Sequence, residues 1–90
     1  MALQLKKNQI LKITATADVT FENTEVFTVM FSTINIDPIN KRRVLAKGDF
    51  VTLNAGEIGY MVCDVHDTYL ADSGEDLAGY TVENVNLGDV

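Results

Sequence analysis

The chain has 90 residues, a formal net charge of −6, one cysteine and one histidine. That length holds a single domain, and the two counts exclude an internal disulfide and a Cys/His zinc site. No apolar run approaches the roughly 20 residues of a membrane-spanning helix, and the acidic balance repels a polyanion such as nucleic acid.

Apolar residues make up 47% of the chain and charged residues 22%, so the composition is that of a globular protein. A domain this small buries only about 60–70% of the surface its unfolded chain exposes. With no disulfide or metal to reinforce a thin core, association with a partner is the remaining source of stability. The charge is unevenly spread. Seven basic residues lie at or before Lys47, against the four acids Asp18, Glu22, Glu25 and Asp37, which makes that half +3. From Gly48 onward nine acids stand with no lysine or arginine, which makes that half −9. Two outcomes are open: separate positive and negative poles, or interleaved strands that mix the charge.

In chain order, Met1–Asn8 is too short and too polar for a signal peptide. It is expected as a flexible N-terminal arm, residues 1–8, that orders when something pairs with it, ahead of one β domain over 9–90. Leu11, Ile13, Ala15, Ala17, Val19 and Phe21 then alternate with polar residues. That period of two predicts a strand with one buried face. Asn23-Thr24 predicts a turn. Glu25–Ile36 predicts a second strand, with Phe27, Val29 and Phe31 on one face and Val26, Met30, Ile34 and Ile36 on the other. Apolar on both faces, it is expected at a central position, the alternative being a strand whose outer face docks a partner.

Asp37-Pro38 ends that ladder, because proline lacks an amide hydrogen and biases its predecessor away from helix. The stretch 38–46 permits one short helix, capped by Asp37 and closed by Gly48. It also permits a loop followed by a short strand over Arg43–Lys47, and the lack of a 3.6-residue apolar stripe favours the latter. Phe50–Leu53, the turn Asn54–Glu57 and Ile58–Val65 predict a hairpin. Leu53–Glu57 resembles the strand–turn–strand corners common in jelly rolls and immunoglobulin-like sandwiches. Asp72–Asp76 predicts another turn, and Tyr80–Leu87 a last strand with Tyr80, Val82 and Asn84 on one face. The fold class expected is all-β: a small sandwich or barrel-like domain of about six to seven strands.

Candidate chemistry is sparse. Cys63 and His66 would point to opposite faces of one extended strand, and a nucleophile needs contact with its base. Cys63 therefore reads as a buried apolar group. Asp64 and His66 share a face but have no second histidine nearby, and Asp72–Asp76 lacks the six to eight or so oxygen ligands and the spacing of a calcium loop. Lys41-Arg42-Arg43 stands without interleaved aromatics, and Tyr60, Tyr69 and Tyr80 form no stacking motif. No phosphate-cradling loop or serine elbow occurs. The chain is expected to be no enzyme and to carry no cofactor.

The arm Met1–Asn8 and the polar-faced strand Leu11–Phe21 resemble those of small all-β bacteriophage virion proteins, namely capsid decoration (cement) proteins and head or tail components. The resemblance implies a structural role in a virion, or in the cytoplasm if the chain is not phage-derived. Its partners would be further copies of itself, a larger protein assembly such as a capsid, or both, with no membrane and no direct nucleic acid. The residues expected to contact partners are Leu3, Leu5, Lys6, Lys7, Lys41, Arg42, Arg43, Asp72, Glu75 and Asp76. A second reading is a small acidic inhibitor that blocks a basic, nucleic-acid-binding protein surface, using Asp64, Asp67, Asp72, Glu75, Asp76 and Glu83.

Overall fold

A computed structural model describes residues 2–33, 43–72 and 79–86. Among them are nine strands and no helix: β1 (Ala2–Leu5), β2 (Ile10–Ala15), β3 (Val19–Glu22), β4 (Val29–Ser32), β5 (Arg43–Leu45), β6 (Phe50–Leu53), β7 (Ile58–Val62), β8 (Thr68–Asp72) and β9 (Tyr80–Val85). They form a four-stranded sheet in the order β1-β8-β3-β6 and a five-stranded sheet in the order β5-β4-β7-β2-β9. All pairings are antiparallel.

The pairing follows one rule. β1 pairs with β8, β2 with β7, β3 with β6 and β4 with β5. A long hairpin folded over on itself gives that nesting, which is the jelly roll. Here β9 is an additional strand laid beside β2. One core cluster draws on both sheets, with Leu5, Val19, Phe21 and Leu70 from one and Ile13, Val29, Leu45 and Met61 from the other.

Five members of the period-two run, Leu11, Ile13, Ala15, Val19 and Phe21, lie in the core as expected, whereas Ala17 is exposed. The run is two strands, however, not one. The chain bends at Thr16–Asp18 and changes sheets, so the odd-numbered residues face inward on both sides of the corner. Residues 50–65 likewise form no hairpin, since β6 pairs with β3 while β7 pairs with β2 and β4. The two corners are stitched together instead. Ala15 N donates to Glu57 O at 2.9 Å, Gly56 N to Ala15 O at 2.8 Å, and Ala55 N to Asp18 Oδ1 at 2.9 Å. Gly56 takes a φ of 90°, which a residue without Cβ adopts at little cost.

Other expectations also change in detail. The described residues alone form nine strands rather than six or seven. The helix considered near 38–46 is absent over Arg43–Leu45, which is strand, while 38–42 lie outside the described residues. The second strand begins at Val29 and not at Glu25: residues 25–28 are bend and loop, and Val29–Ser32 is strand. It sits between β5 and β7 with all four residues buried, in keeping with its apolar faces. Val26 is exposed, and Ile34 and Ile36 lie outside the described residues. Gly59, on the neighbouring β7, leaves room for the Phe31 ring: a Cβ there would fall 2.6 Å from Phe31 Cε1. The last strand ends at Val85.

The supposed arm is the largest correction. Ala2–Leu5 pairs with Thr68–Asp72 of its own chain, and Leu3 and Leu5 are core residues. The segment reads as polar because of Lys6, Lys7 and Asn8, but Leu3 and Leu5 are two apart and so share one face. Asn8, with φ 67°, makes the tight turn into β2, and its amide donates to Cys63 O at 2.7 Å. Asparagine tolerates that left-handed conformation better than most residues.

Candidate binding groove

The two sheets differ by one strand, and the difference produces a groove. β9 lies at the edge of the five-stranded sheet and β1 at the edge of the four-stranded one. Tyr80, Val82 and Asn84 stand opposite Ala15, Ile13 and Leu11 on β2, and so share their inward face. At one end that face is covered. The Tyr80 ring meets Phe21 edge-on at 5.0 Å between centroids, and its hydroxyl donates to Asp72 Oδ2 at 2.8 Å. At the other end it is open: Val82 is 49% exposed although Ile13 beside it is fully buried, and Asn84 is exposed.

The resulting groove has a volume of about 670 Å³. Leu3 and Gln4 of β1 form one wall, and Val82 and Asn84 of β9 the other, with Leu11 and Tyr80 contributing apolar surface. Lys6, Lys7 and Gln9 complete the lining, and both lysines are exposed. Gln9 Nε2 donates to Val85 O at 3.2 Å, across the end of the groove. The Tyr80 hydroxyl is pushed up to about 12, first by burial and then by Asp72 beside it. It is thus a neutral donor at ordinary pH, and it holds Asp72, whose other oxygen, Oδ1, is buried with no hydrogen-bond partner among the described residues.

Of the residues expected to contact partners, the structure gathers Leu3, Lys6 and Lys7 at this groove. Leu5 is a core residue and leaves the set. Arg43 lies on the opposite side of the sandwich, its Nη2 donating to Phe50 O at 3.1 Å. Asp72 is half-buried and accepts from the Tyr80 hydroxyl. Lys41, Arg42, Glu75 and Asp76 lie outside the described residues. Sequence reasoning misses Gln4, Gln9, Leu11, Tyr80, Val82 and Asn84 as groove residues. The alternation of β9 places three of them on one face, but only the strand order reveals that this face is left open.

Among the described residues the two halves of the chain are interleaved. Each of β6 to β9, from the acidic half, pairs only with strands of the first half, Lys12 stands opposite Glu83, and Asp67 Oδ1 accepts from Lys7 N at 2.7 Å. Cys63 is buried, and burial raises its thiol above the ordinary value, with Asp67 adding to the effect. Such a thiol stays protonated and is a poor nucleophile. His66 is exposed, its ring stacked on Phe27 at 4.6 Å and its Nδ1 2.7 Å from Asp67 O. Among the described residues no group of three or more His, Cys, Asp or Glu side chains is arranged to hold a metal ion. No described helix is long and apolar enough to cross a membrane. No family model matches the chain, and no match to it is found among curated proteins or solved structures.

Proposed function

We propose that this protein is a non-enzymatic assembly component, of the virion decoration or head and tail type, that acts by docking on a larger protein structure. The observation that supports this most directly is the unmatched β9 beside β1, which is an edge strand among the described residues. Apolar side chains and that strand edge lie together on one side of the molecule. Sheet edges with those properties are where proteins add strands from partners. Jelly rolls recur among viral capsid domains, lectins and cupins, an association that agrees with the reading without carrying it.

The inhibitor reading has less support, because Asp72 turns to Tyr80 and Lys12 faces Glu83 within the sheet. A size-resolved mass measurement tests the assembly reading, on the full-length chain alone and after mixing with shells or tails from its source. Co-migration with the assembly at a fixed ratio is expected. A chain that stays free beside every such assembly, and binds a basic nucleic-acid-binding protein instead, overturns it.

A further inference from the structure

If the protein works by docking, its groove must select an occupant, and the occupant assigned to it rests on that docking role. Three features of the groove bear on the choice. First, β1 pairs with β8 on one side and with no described strand on the other. Among the described residues, then, β1 is an edge at which one more strand would extend the four-stranded sheet. Second, the position beside β1 lies along the uncovered inward face of β9, where Val82 and Asn84 have no described side chain of the other sheet over them. A strand at that position would make the sheets five over five and bury Val82. Third, Lys6 and Lys7 stand exposed at the end of the groove, and they are the charged residues in its lining.

We infer that the groove between β1 and β9 receives one extended segment of a partner protein, with alternating apolar side chains and acidic residues at the end that passes Lys6 and Lys7. Backbone hydrogen bonds to β1 hold the segment, and alternate side chains point down onto Leu3, Leu11 and Val82. The spacing of those side chains follows from strand geometry, in which every second residue faces the same side. The lysines set direction and preference, since their charge is exposed and contributes mainly to selectivity.

A folded second copy does not fit. If its own β1 paired with this β1, it would bring its β2 beneath the same position, where β9 already lies. The groove takes a single chain with no sheet of its own attached, which means a tail, a terminal arm or a loop in extended form.

Amide spectra of the isotope-labelled full chain test this against two synthetic peptides. One is acetyl-(Val-Thr)₃-Val-Glu-Glu-amide and the other is identical with two lysines replacing the glutamates. The acidic peptide should perturb residues 2–5 and 80–84 and slow hydrogen exchange along β1. It should bind at least tenfold tighter than the basic one. The double variant Lys6→Glu, Lys7→Glu should reverse that preference, and Val82→Asp should weaken both peptides while the spectrum stays dispersed. Absence of binding at millimolar peptide overturns the inference, as do shifts lying elsewhere or equal affinity for the two peptides. Concentration-dependent shifts at the same residues in the chain alone would assign the groove to a second copy and overturn it as well. Assembly co-migration is measured separately, so a docking protein that ignores both peptides would lose only the groove assignment.

Discussion

The two sides of the sandwich end in the same way, on one strand from each sheet, and are closed very differently. On one side β5 and β6 are neighbours in sequence, joined by Ala46–Asp49. Short bonds seal that side: Arg43 Nη2 to Phe50 O, Ala46 N to Asp49 Oδ2 at 2.9 Å, and Gly48 N to Asn23 O at 2.6 Å. Asn23 is fully buried there and pins two loops, its Nδ2 donating to Phe27 O at 2.7 Å and to Leu45 O at 2.8 Å. On the other side β1 and β9 come from opposite ends of the chain, and the described bond nearest to bridging them is Gln9 Nε2 to Val85 O. Edges formed by consecutive strands are closed by their own connection. Edges formed by distant strands stay open unless something else closes them.

The largest expected effect tests whether β1 belongs to the open side as structure or merely as an arm. Removing residues 1–5 deletes Leu3 and Leu5, and losing either leucine costs about 2–5 kcal/mol. Small domains hold only about 5–15 kcal/mol in total. The truncated chain should therefore lose its cooperative thermal transition, whereas an arm could be removed with no change. On the sealed side, Asn23→Ala should cost about 2–3 kcal/mol in denaturant unfolding, because it removes the donor to one buried and one partly buried carbonyl. A cost below about 1 kcal/mol would mean that the loops hold without their pin.

Much of this fold can be read from local pattern, and the parts that escape are non-local. The alternation from Leu11 to Phe21 identifies five core residues correctly. It cannot show the change of sheet at Thr16–Asp18, because a corner that keeps the odd residues inward leaves the period intact. Asn54–Glu57 carries the same turn residues whether its flanking strands pair with each other or with β2 and β3, so a corner reads as a hairpin. Asn23 is an ordinary turn residue by composition, and its burial depends on Leu45, 22 positions away. The groove is legible only as fragments. Lys6 and Lys7 are marked by charge, and Val82 by its place in an alternating strand. Their proximity follows from the extra strand beside β2, which no local pattern encodes.

A smaller effect sharpens the contrast along β9 itself, between its covered end at Tyr80 and its open end at Val82. Tyr80 has a folded-state value of about 12, against an unfolded value of about 10. The native state holds the proton more tightly, so the stability tied to it is complete below about pH 10. It is lost as pH rises from about 10 through about 12. Unfolding curves of the native chain should fall across that window, and Tyr80→Phe should flatten the fall. Parallel curves for the two proteins would mean that Tyr80 is open to water like the rest of the groove.

The smallest expected effect is the most direct comparison of all, because it makes one chemical change at two places. Val29 and Val82 are both strand valines on the inward face of the same sheet. Val29 stands opposite Leu45 on the sealed side and is fully buried. Val82 overhangs the groove with half its surface in water. Threonine keeps the shape of valine and replaces a methyl with a hydroxyl, so the cost measures how dry each site is. Val29→Thr should cost about 1–3 kcal/mol, since its hydroxyl enters a core without a partner. Val82→Thr should change stability by less than about 0.5 kcal/mol, as at other water-facing positions. Equal costs at the two sites would show that the inward face of β9 is covered in solution. In that event the groove is closed in the free protein, and an incoming strand would first have to displace whatever covers it. Unequal costs that become equal once an acidic strand peptide is bound would show Val82 drying as the vacant place is filled.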